Sequence, residues 1–265
     1  MTPRRINIPI HGSATEEEAR RNWESSRKRA LPRALDSAPV LSDRLAVAGS
    51  GPNLDVEALR EWPGDIWAVN GTAAYLAHEG IESTMFSVDP FNYECRHLLP
   101  EILDPIDAAI LASHCNPLMF EHLLKNSASV YVFDVVPWED ERVNGGPTTA
   151  THAPLLALPM GYRELSFYGF EGSYDPEHSS HIQKHAVDDW HELTIRAGET
   201  EFLTAVELML QSQNLAALIR EFPDVFKDRS GGLLSGMVDH WHTWEITKMT
   251  DDMLALEALA EKAAA

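Results

Sequence analysis

The stretch from Leu45 to Leu54, which reads Leu-Ala-Val-Ala-Gly-Ser-Gly-Pro-Asn-Leu, places a glycine turn directly after a short apolar run. Glycines can adopt backbone angles that are closed to other residues, and they let a ligand approach the main chain. Unpaired N–H groups at the start of a following helix attract anions. The pattern therefore predicts a strand, a turn and a helix, and it is compatible with a nucleotide phosphate bound near Gly49, Ser50, Gly51, Pro52 and Asn53.

The turn matches the dinucleotide-binding fingerprint only in part. Leu54 occupies the position of the third glycine, so a standard NAD site is disfavoured, and nothing in the sequence indicates haem. A strand-to-helix turn that binds no ligand has the same glycine pattern, so the turn alone leaves both interpretations open.

Apolar runs alternate with helical patterns along most of the chain. Strands are predicted at residues 44–48, 66–70, 84–89, 108–113, 130–135 and 164–170, and helices at residues 54–62 and 148–160. Strands that are apolar on both faces and separated by helices indicate a parallel sheet covered on both sides. The expected fold class is α/β, a Rossmann-like and mainly parallel sheet with helices on both faces, an N-terminal helix and a C-terminal helical extension.

The chain divides into three predicted segments. Residues 1–42 form an N-terminal helical arm with a helix at about residues 14–35, residues 43–236 form the Rossmann-like domain, and residues 237–265 form a helical tail. Late in the central domain the pattern predicts a strand at residues 192–196, a helix at about residues 200–221, and a strand followed by a glycine turn at residues 224–236.

The charge distribution limits the partners of the protein. The 265 residues carry a net charge of −20, although residues 1–33 hold eight Lys or Arg against four Glu. So acidic a body repels a nucleic-acid backbone, and general DNA or RNA binding is not expected. No apolar run approaches the roughly 20 residues of a membrane helix. Together with only two cysteines, this predicts a cytoplasmic protein without a membrane span.

Polar residues follow the predicted strands at the point where each strand ends. Function in parallel sheets gathers at this carboxyl edge, although each residue alone can also serve as a cap or a turn former. The residues concerned are Asn70, Asp89, His114, Cys115, Asn116 and the segment from Glu171 to Asp175. Among them, Asn70, Asp89 and Asn116 are candidate nucleotide contacts. Cys115 is more simply explained as an inert buried thiol than as a nucleophile beside His114.

A second glycine loop precedes the predicted helix at residues 148–160. Gly145 and Gly146 leave room for a ligand, and the hydroxyls of Thr148 and Thr149 can either cap the helix or contact phosphate and ribose oxygens. The loop faces the same predicted sheet edge as the first turn, so we expect it to contribute to the same ligand site.

Three histidines lie close together beyond the last predicted strand. His178, His181 and His185 have the spacing of one helix face, which is compatible with zinc, but Pro176 disfavours a regular helix there. An exposed polar loop without a role is the other alternative.

Taken together, these motifs resemble the MptE-like family, which includes archaeal 6-hydroxymethylpterin diphosphokinases. The resemblance rests on the first glycine turn, Asn70, Asp89, the Gly-Gly-x-Thr loop and the segment from Met160 to Glu171. The same arrangement is similar to that of motility-associated flagellin glycosyltransferases and of bacterial sialyltransferases that use a CMP-activated sugar.

The resemblance implies a role for each of these positions. Nucleotide phosphates are expected at the first turn, with Asn70 and Asp89 lining the pocket and Thr148 and Thr149 facing the same ligand. Glu171 stands where the family has aspartate, and a glutamate can still bond a ribose or hold Mg²⁺ through water. His181, in a Ser-His context, would be the general base, since imidazole titrates near neutral pH. Tyr174 would hydrogen-bond the leaving phosphate.

Three functions follow as hypotheses. The first is transfer of a sugar from a nucleotide-activated small-molecule donor to a hydroxyl acceptor. The second is a diphosphokinase that uses Mg-ATP, with Asp89 and Asp175 as candidate Mg²⁺ ligands. The third is a nucleotide-binding module without catalysis.

Overall fold

A seven-stranded parallel sheet forms the centre of the protein. The computed structural model describes residues 15–90, 103–135, 143, 145–146, 148–174 and 192–249. The strands are β1 (Arg44–Ala48), β2 (Asp65–Val69), β3 (Thr84–Ser87), β4 (Ala108–Ala112), β5 (Ser129–Phe133), β6 (Glu164–Tyr168), β7 (Glu192–Ala197), β8 (Thr200–Ala205), β9 (Phe226–Asp228) and β10 (Glu245–Met249). The helices are α1 (Glu16–Arg27), α2 (Ala34–Ser37), α3 (Val56–Arg60), α4 (Thr72–His78), α5 (Pro117–Lys125), α6 (Thr149–Met160), α7 (Val206–Glu221) and α8 (Gly232–Asp239).

The strand order of the main sheet is β5-β4-β3-β2-β1-β6-β9, and every neighbouring pair is parallel. From β1 the chain builds outward to β5, then returns to place β6 and β9 on the other side. The order therefore reverses between β1 and β6, where a crevice opens at the carboxyl edge in folds of this kind. The predicted α/β, Rossmann-like fold class is confirmed.

An aromatic row holds one part of the core together. The Trp67 ring stacks on Phe86 with centroids 5.1 Å apart, and Phe86 stacks on Phe133 at 5.3 Å. Tyr162 meets Trp67 edge to face at 5.5 Å, and its hydroxyl donates to Asp65 Oδ2 at 2.8 Å. Since these rings come from β2, β3, β5 and the turn before β6, the row ties strands that are distant in sequence.

The predicted N-terminal helix is present but ends early. α1 begins after Thr15, which forms a capping box with Glu18, and it ends at Arg27 rather than near residue 35. The side chain of Asn22 is buried and donates to the His114 carbonyl at 3.1 Å. The helix therefore contacts the carboxyl end of β4.

The first six residues of the helix predicted at residues 200–221 instead form a strand. Residues 200–205 form β8, which pairs antiparallel with β7 through a tight turn at Gly198 and Glu199. Gly198 has a φ of 63°, which glycine adopts without strain, and the helix begins only at Val206. The hairpin overrides the helical pattern because β7 supplies hydrogen-bond partners that the local sequence does not reveal.

The helical tail predicted at residues 237–265 is wrong over residues 245–249. These residues form β10, which adds to the free side of β7 to give a three-stranded sheet in the order β10-β7-β8. Ile246 and Thr247 are β-branched and suit a strand, whereas the Ala/Leu/Glu composition that favoured a helix lies further on, outside the described residues. Within the described part of the chain, no helix is long and apolar enough to span a membrane.

Replacement of Trp67 by alanine should lower the free energy of unfolding by about 3–5 kcal/mol, because it removes a buried ring and leaves a cavity between Phe86 and Tyr162. Urea denaturation monitored by circular dichroism measures the change. Leu41→Ala, at a side chain that is 84% exposed, is the control and should stay within about 0.5 kcal/mol of the parent. Equal effects of the two substitutions would contradict this account of the core.

Candidate functional site

The glycine turn after β1 packs directly against the end of β6. The Gly49 N–H donates to the Tyr168 carbonyl at 2.7 Å, and the Gly51 N–H donates to the Gly169 carbonyl at 2.9 Å. A Cβ added to Gly49 would lie 2.5 Å from the Gly169 oxygen, and one added to Gly51 would lie 1.6 Å from Glu171 Oε2. Both positions therefore require glycine because the two turns approach each other so closely.

Glu171 lies in the crevice between these turns and is 1% exposed. Its Oε1 accepts the Asn53 N–H at 3.0 Å, whereas Oε2 has no hydrogen-bond partner among the described residues. Burial, with a smaller contribution from Asp228, raises the pKa of Glu171 to about 6. Its main-chain carbonyl accepts the Leu234 N–H at 3.1 Å, which fixes the backbone of Glu171 against α8.

The helix after the turn starts later than the sequence predicts. α3 is only five residues long and begins at Val56, because Asp55 caps it by accepting the Ala58 N–H at 3.0 Å. Pro52 and Asn53, expected at the helix start, belong to the turn instead. Phosphate binding at the first turn stays a prediction. Because no helix begins at Pro52, a helix dipole does not contribute to anion binding at that residue.

Asn70 and Asp89, at the ends of β2 and β3, are joined by a serine that the sequence analysis missed. The Ser87 hydroxyl donates to Asn70 Oδ1 at 2.7 Å and accepts the Asp89 N–H at 3.2 Å. Asn70 has a φ of 49°, a left-handed conformation that asparagine tolerates better than most residues. The structure therefore brings the two predicted residues together, and a lone serine ending an apolar strand was the available signal.

Two residues after β4 make contacts within the protein, and the role of Asn116 as a nucleotide contact stays a prediction. Asn116 caps α5 by accepting the Leu118 N–H at 2.9 Å, with Pro117 at the first helical position. Cys115 is fully buried, and burial raises the pKa of its thiol, which bonds the Ser87 carbonyl at 3.5 Å. The thiol is therefore protonated and inert at neutral pH, as its position at a buried strand end suggested.

His114, which the sequence places at this edge, belongs to a cluster with His152 and Asp134 that the sequence does not predict. Burial, helped by the nearby His152, lowers the pKa of His114 to about 4, and its Nδ1 has no hydrogen-bond partner in the described part of the chain. Asp134 follows β5 and pairs with Arg33 at 2.5 Å. Burial keeps both histidines neutral at neutral pH, and only the tertiary structure, which brings His152 of α6 near His114, reveals the cluster.

The second glycine loop packs against the first turn of α6. A Cβ added to Gly145 would lie 2.3 Å from the ring of His152, and one added to Gly146 would lie 2.9 Å from Thr151 Oγ1. These glycines are therefore also needed for close packing within the protein, whatever ligand they contact.

The two threonines at the start of α6 are both in contact with the protein interior. The Thr148 N–H donates to Thr151 Oγ1 at 3.2 Å, and the Thr148 carbonyl accepts from His152 Nδ1 at 2.9 Å. Thr149 is 7% exposed. Their assignment to a nucleotide stays a prediction.

Tyr174 lies beyond the end of β6, beside the second sheet. Its N–H donates to the Leu203 carbonyl at 2.9 Å, and burial together with Glu192 and Glu207 raises the pKa of its phenol to about 12. The phenol is therefore protonated at neutral pH and can act as a hydrogen-bond donor.

Several predicted site residues fall outside the described residues. They are the candidate base His181, the neighbouring His178 and His185, and the candidate metal ligand Asp175. Within the ranges that the structure describes, no group of three or more His, Cys, Asp or Glu residues is arranged to hold a metal ion. The predicted roles of His181 as base and of Asp89 with Asp175 at Mg²⁺ stay predictions.

Comparison with known proteins adds little to the geometry. No family model and no curated protein matches the chain. Among solved structures, the crystal structure of a mammalian sialyltransferase matches with 13% identity and a TM-score of 0.39, covering 82% of this chain and 87% of that chain. So distant a match carries no inference about activity, and the resemblance to the MptE-like family stays a prediction from motifs.

Gly51→Ala should lower the free energy of unfolding by about 1–3 kcal/mol, because the new methyl group overlaps the Glu171 carboxylate. In a Glu171→Ala background the same substitution should cost less, although the Gly169 carbonyl still crowds the methyl group at 2.7 Å. Denaturant unfolding of the two single variants and the double variant measures the coupling. Strictly additive effects would contradict the assigned contact.

His114→Gln should change how stability depends on pH. Because the folded-state pKa of His114 lies at about 4, below its ordinary value of 6.5, its contribution to stability is complete above pH 6.5 and is lost as the pH falls through 4. The stability of the parent relative to the variant should therefore fall by about 3 kcal/mol over this window, from the size of the shift. Urea midpoints measured from pH 7.5 to pH 4 report it, and parallel curves for the two proteins would rule it out.

Proposed function

We propose that this chain is a nucleotide-binding transferase that moves a sugar from a nucleotide-activated donor to a hydroxyl acceptor. The observation that carries the proposal is the meeting of the glycine turn with Glu171 where the strand order reverses between β1 and β6. Ligands of open parallel sheets bind at such reversals, outside the carboxyl ends of the strands. Asn70 and Asp89 lie at the same edge, which supports a ligand that extends toward β3.

Tyr174 is suited to assist the departure of the nucleotide. Its phenol is held protonated by burial and by two neighbouring carboxylates, so it offers an O–H donor to a phosphate oxygen that gains charge as the bond to the sugar breaks.

His181 is proposed as the general base. In the proposed step the acceptor oxygen forms a bond to the anomeric carbon of the sugar, the bond from that carbon to the phosphate oxygen breaks, and the acceptor proton passes to the imidazole. The nucleotide leaves with the bonding electron pair. The support for this residue is its Ser-His context in the sequence.

CMP or UDP should raise the melting temperature by about 5 °C at a concentration 100 times the Kd, since such binding adds about 2.7 kcal/mol to the stability of the folded state. Differential scanning fluorimetry measures the shift, with cytidine and uridine as matched ligands that lack phosphate. Stabilisation by Mg-ATP alone would overturn sugar transfer in favour of diphosphoryl transfer.

His181→Ala separates an enzyme from a binding module. The variant should keep the nucleotide-induced shift and lose turnover of a nucleotide sugar, measured by mass spectrometry of the released nucleotide. Unchanged turnover would remove His181 from the mechanism, and binding without turnover in the parent for every donor would indicate a module without catalysis.

A further inference from the structure

The carboxylate of Glu171 lies where a glycine turn would hold an anion. Oε1 accepts the Asn53 N–H at 3.0 Å, and Oε2 lies against the bare Cα of Gly51, 1.6 Å from where a Cβ would be. A main-chain N–H together with the open face of a glycine is what a phosphate oxygen needs at such a turn. The protein therefore supplies its own anion to this position.

The turn has few other donors to offer. Its Gly49 and Gly51 amides already donate to main-chain carbonyls at the end of β6, and Leu54 donates to the Gly51 carbonyl at 3.1 Å. Pro52 has no N–H. Among the N–H groups of the turn, only that of Ser50 has no acceptor within the described residues. A ligand that needs a second main-chain donor therefore has to take the Asn53 N–H from Glu171.

One oxygen of the carboxylate has no hydrogen bond in this position. The side chain is 1% exposed, Oε1 accepts one hydrogen bond from the turn, the carboxylate also interacts with its own main-chain N–H, and Oε2 has no partner in the described part of the chain. A buried charged oxygen without a partner costs free energy, and Asp228 adds repulsion of like charge. The ionised side chain is therefore at high free energy here, and an incoming group that satisfies the Asn53 N–H can displace it.

Only the side chain has to move for this exchange. The main chain of Glu171 is fixed by its carbonyl, which accepts the Leu234 N–H at 3.1 Å, and by the close approach of Gly232, where an added Cβ would lie 2.7 Å from Glu171 Cβ. Both contacts stay in place when the side chain rotates. The exchange is thus a local event at the crevice between β1 and β6.

We propose that Glu171 masks a phosphate site at the glycine turn, and that a phosphate group of the ligand binds by displacing the Glu171 carboxylate from the Asn53 N–H. The proposal rests on the proposed function for the nature of the ligand, but the masked anion site itself does not require that function. The masking lowers the apparent affinity of every anion for the turn by the same factor, because each anion has to displace the internal carboxylate.

Titration calorimetry with inorganic pyrophosphate and with CMP tests the exchange. Glu171→Ala removes the competing anion and should bind both probes about tenfold more tightly than the parent, from loss of one charge-assisted hydrogen bond to the turn. Glu171→Gln keeps the shape and removes the charge, so it should also bind more tightly and gives the answer if the alanine variant does not fold. Thermal unfolding of each variant verifies the fold.

Glu164→Gln is the matched control, because it removes the same charge from the opposite end of β6, where Glu164 pairs with Arg44. Its affinity for both probes should equal that of the parent. Equal tightening in Glu164→Gln would mean that only the net charge matters, and it would overturn the proposal. Unchanged or weaker binding of the probes by both Glu171 variants would also overturn the proposal. Weaker binding would mean that Glu171 itself contacts the ligand.

The two probes separate this proposal from the proposed function. Tighter pyrophosphate binding in the Glu171 variants, without binding of any nucleotide, would retain the masked anion site and overturn the nucleotide-dependent function. Nucleotide binding by the parent that the Glu171 variants do not improve would retain the function and overturn the masking. The ¹⁵N and ¹H shifts of the Asn53 amide should move when pyrophosphate saturates the parent protein, and an unmoved resonance would contradict displacement.

Discussion

The parallel pairing of β1 with β6 is the contact on which the rest of the structure depends. It brings residues more than a hundred positions apart into one ladder, from Arg44 beside Glu164 to Ala48 beside Tyr168. The strands are apolar on both faces, so their burial stabilises the centre of the sheet. Because the chain leaves these two strands in opposite directions across the sheet, their turns meet face to face at the carboxyl edge.

The main chain and side chains at this edge approach one another so closely that the glycines are required even if no ligand binds. Gly49 and Gly51 leave space for the end of β6, and Gly145 leaves space for the ring of His152. A glycine-rich turn is often taken as evidence for phosphate binding, but here the first demand on each glycine comes from the protein itself. What the turns offer a ligand is then decided by the few donors that the fold leaves available.

The carboxyl edge has two electrostatic halves. Around β1 and β6, Glu171 is a buried acid with a raised pKa, and around β4 and α6, His114 is a buried base with a lowered pKa. In both cases burial disfavours the charged form, and at neutral pH Glu171 stays mainly ionised whereas His114 is neutral.

The sequence by itself determined the rhythm of the main sheet, because apolar strands and the turns that end them are local patterns. It located β1 without error and placed Asn70 and Asp89 at one edge. It failed at β8 and β10, whose hydrogen-bond partners come from β7. It also missed Ser87, and it named His114 without its neighbour His152. Only the tertiary structure decided that Glu171 lies over Gly51, since that contact depends on which strand lies beside β1, and strand order is fixed by packing across the whole sheet.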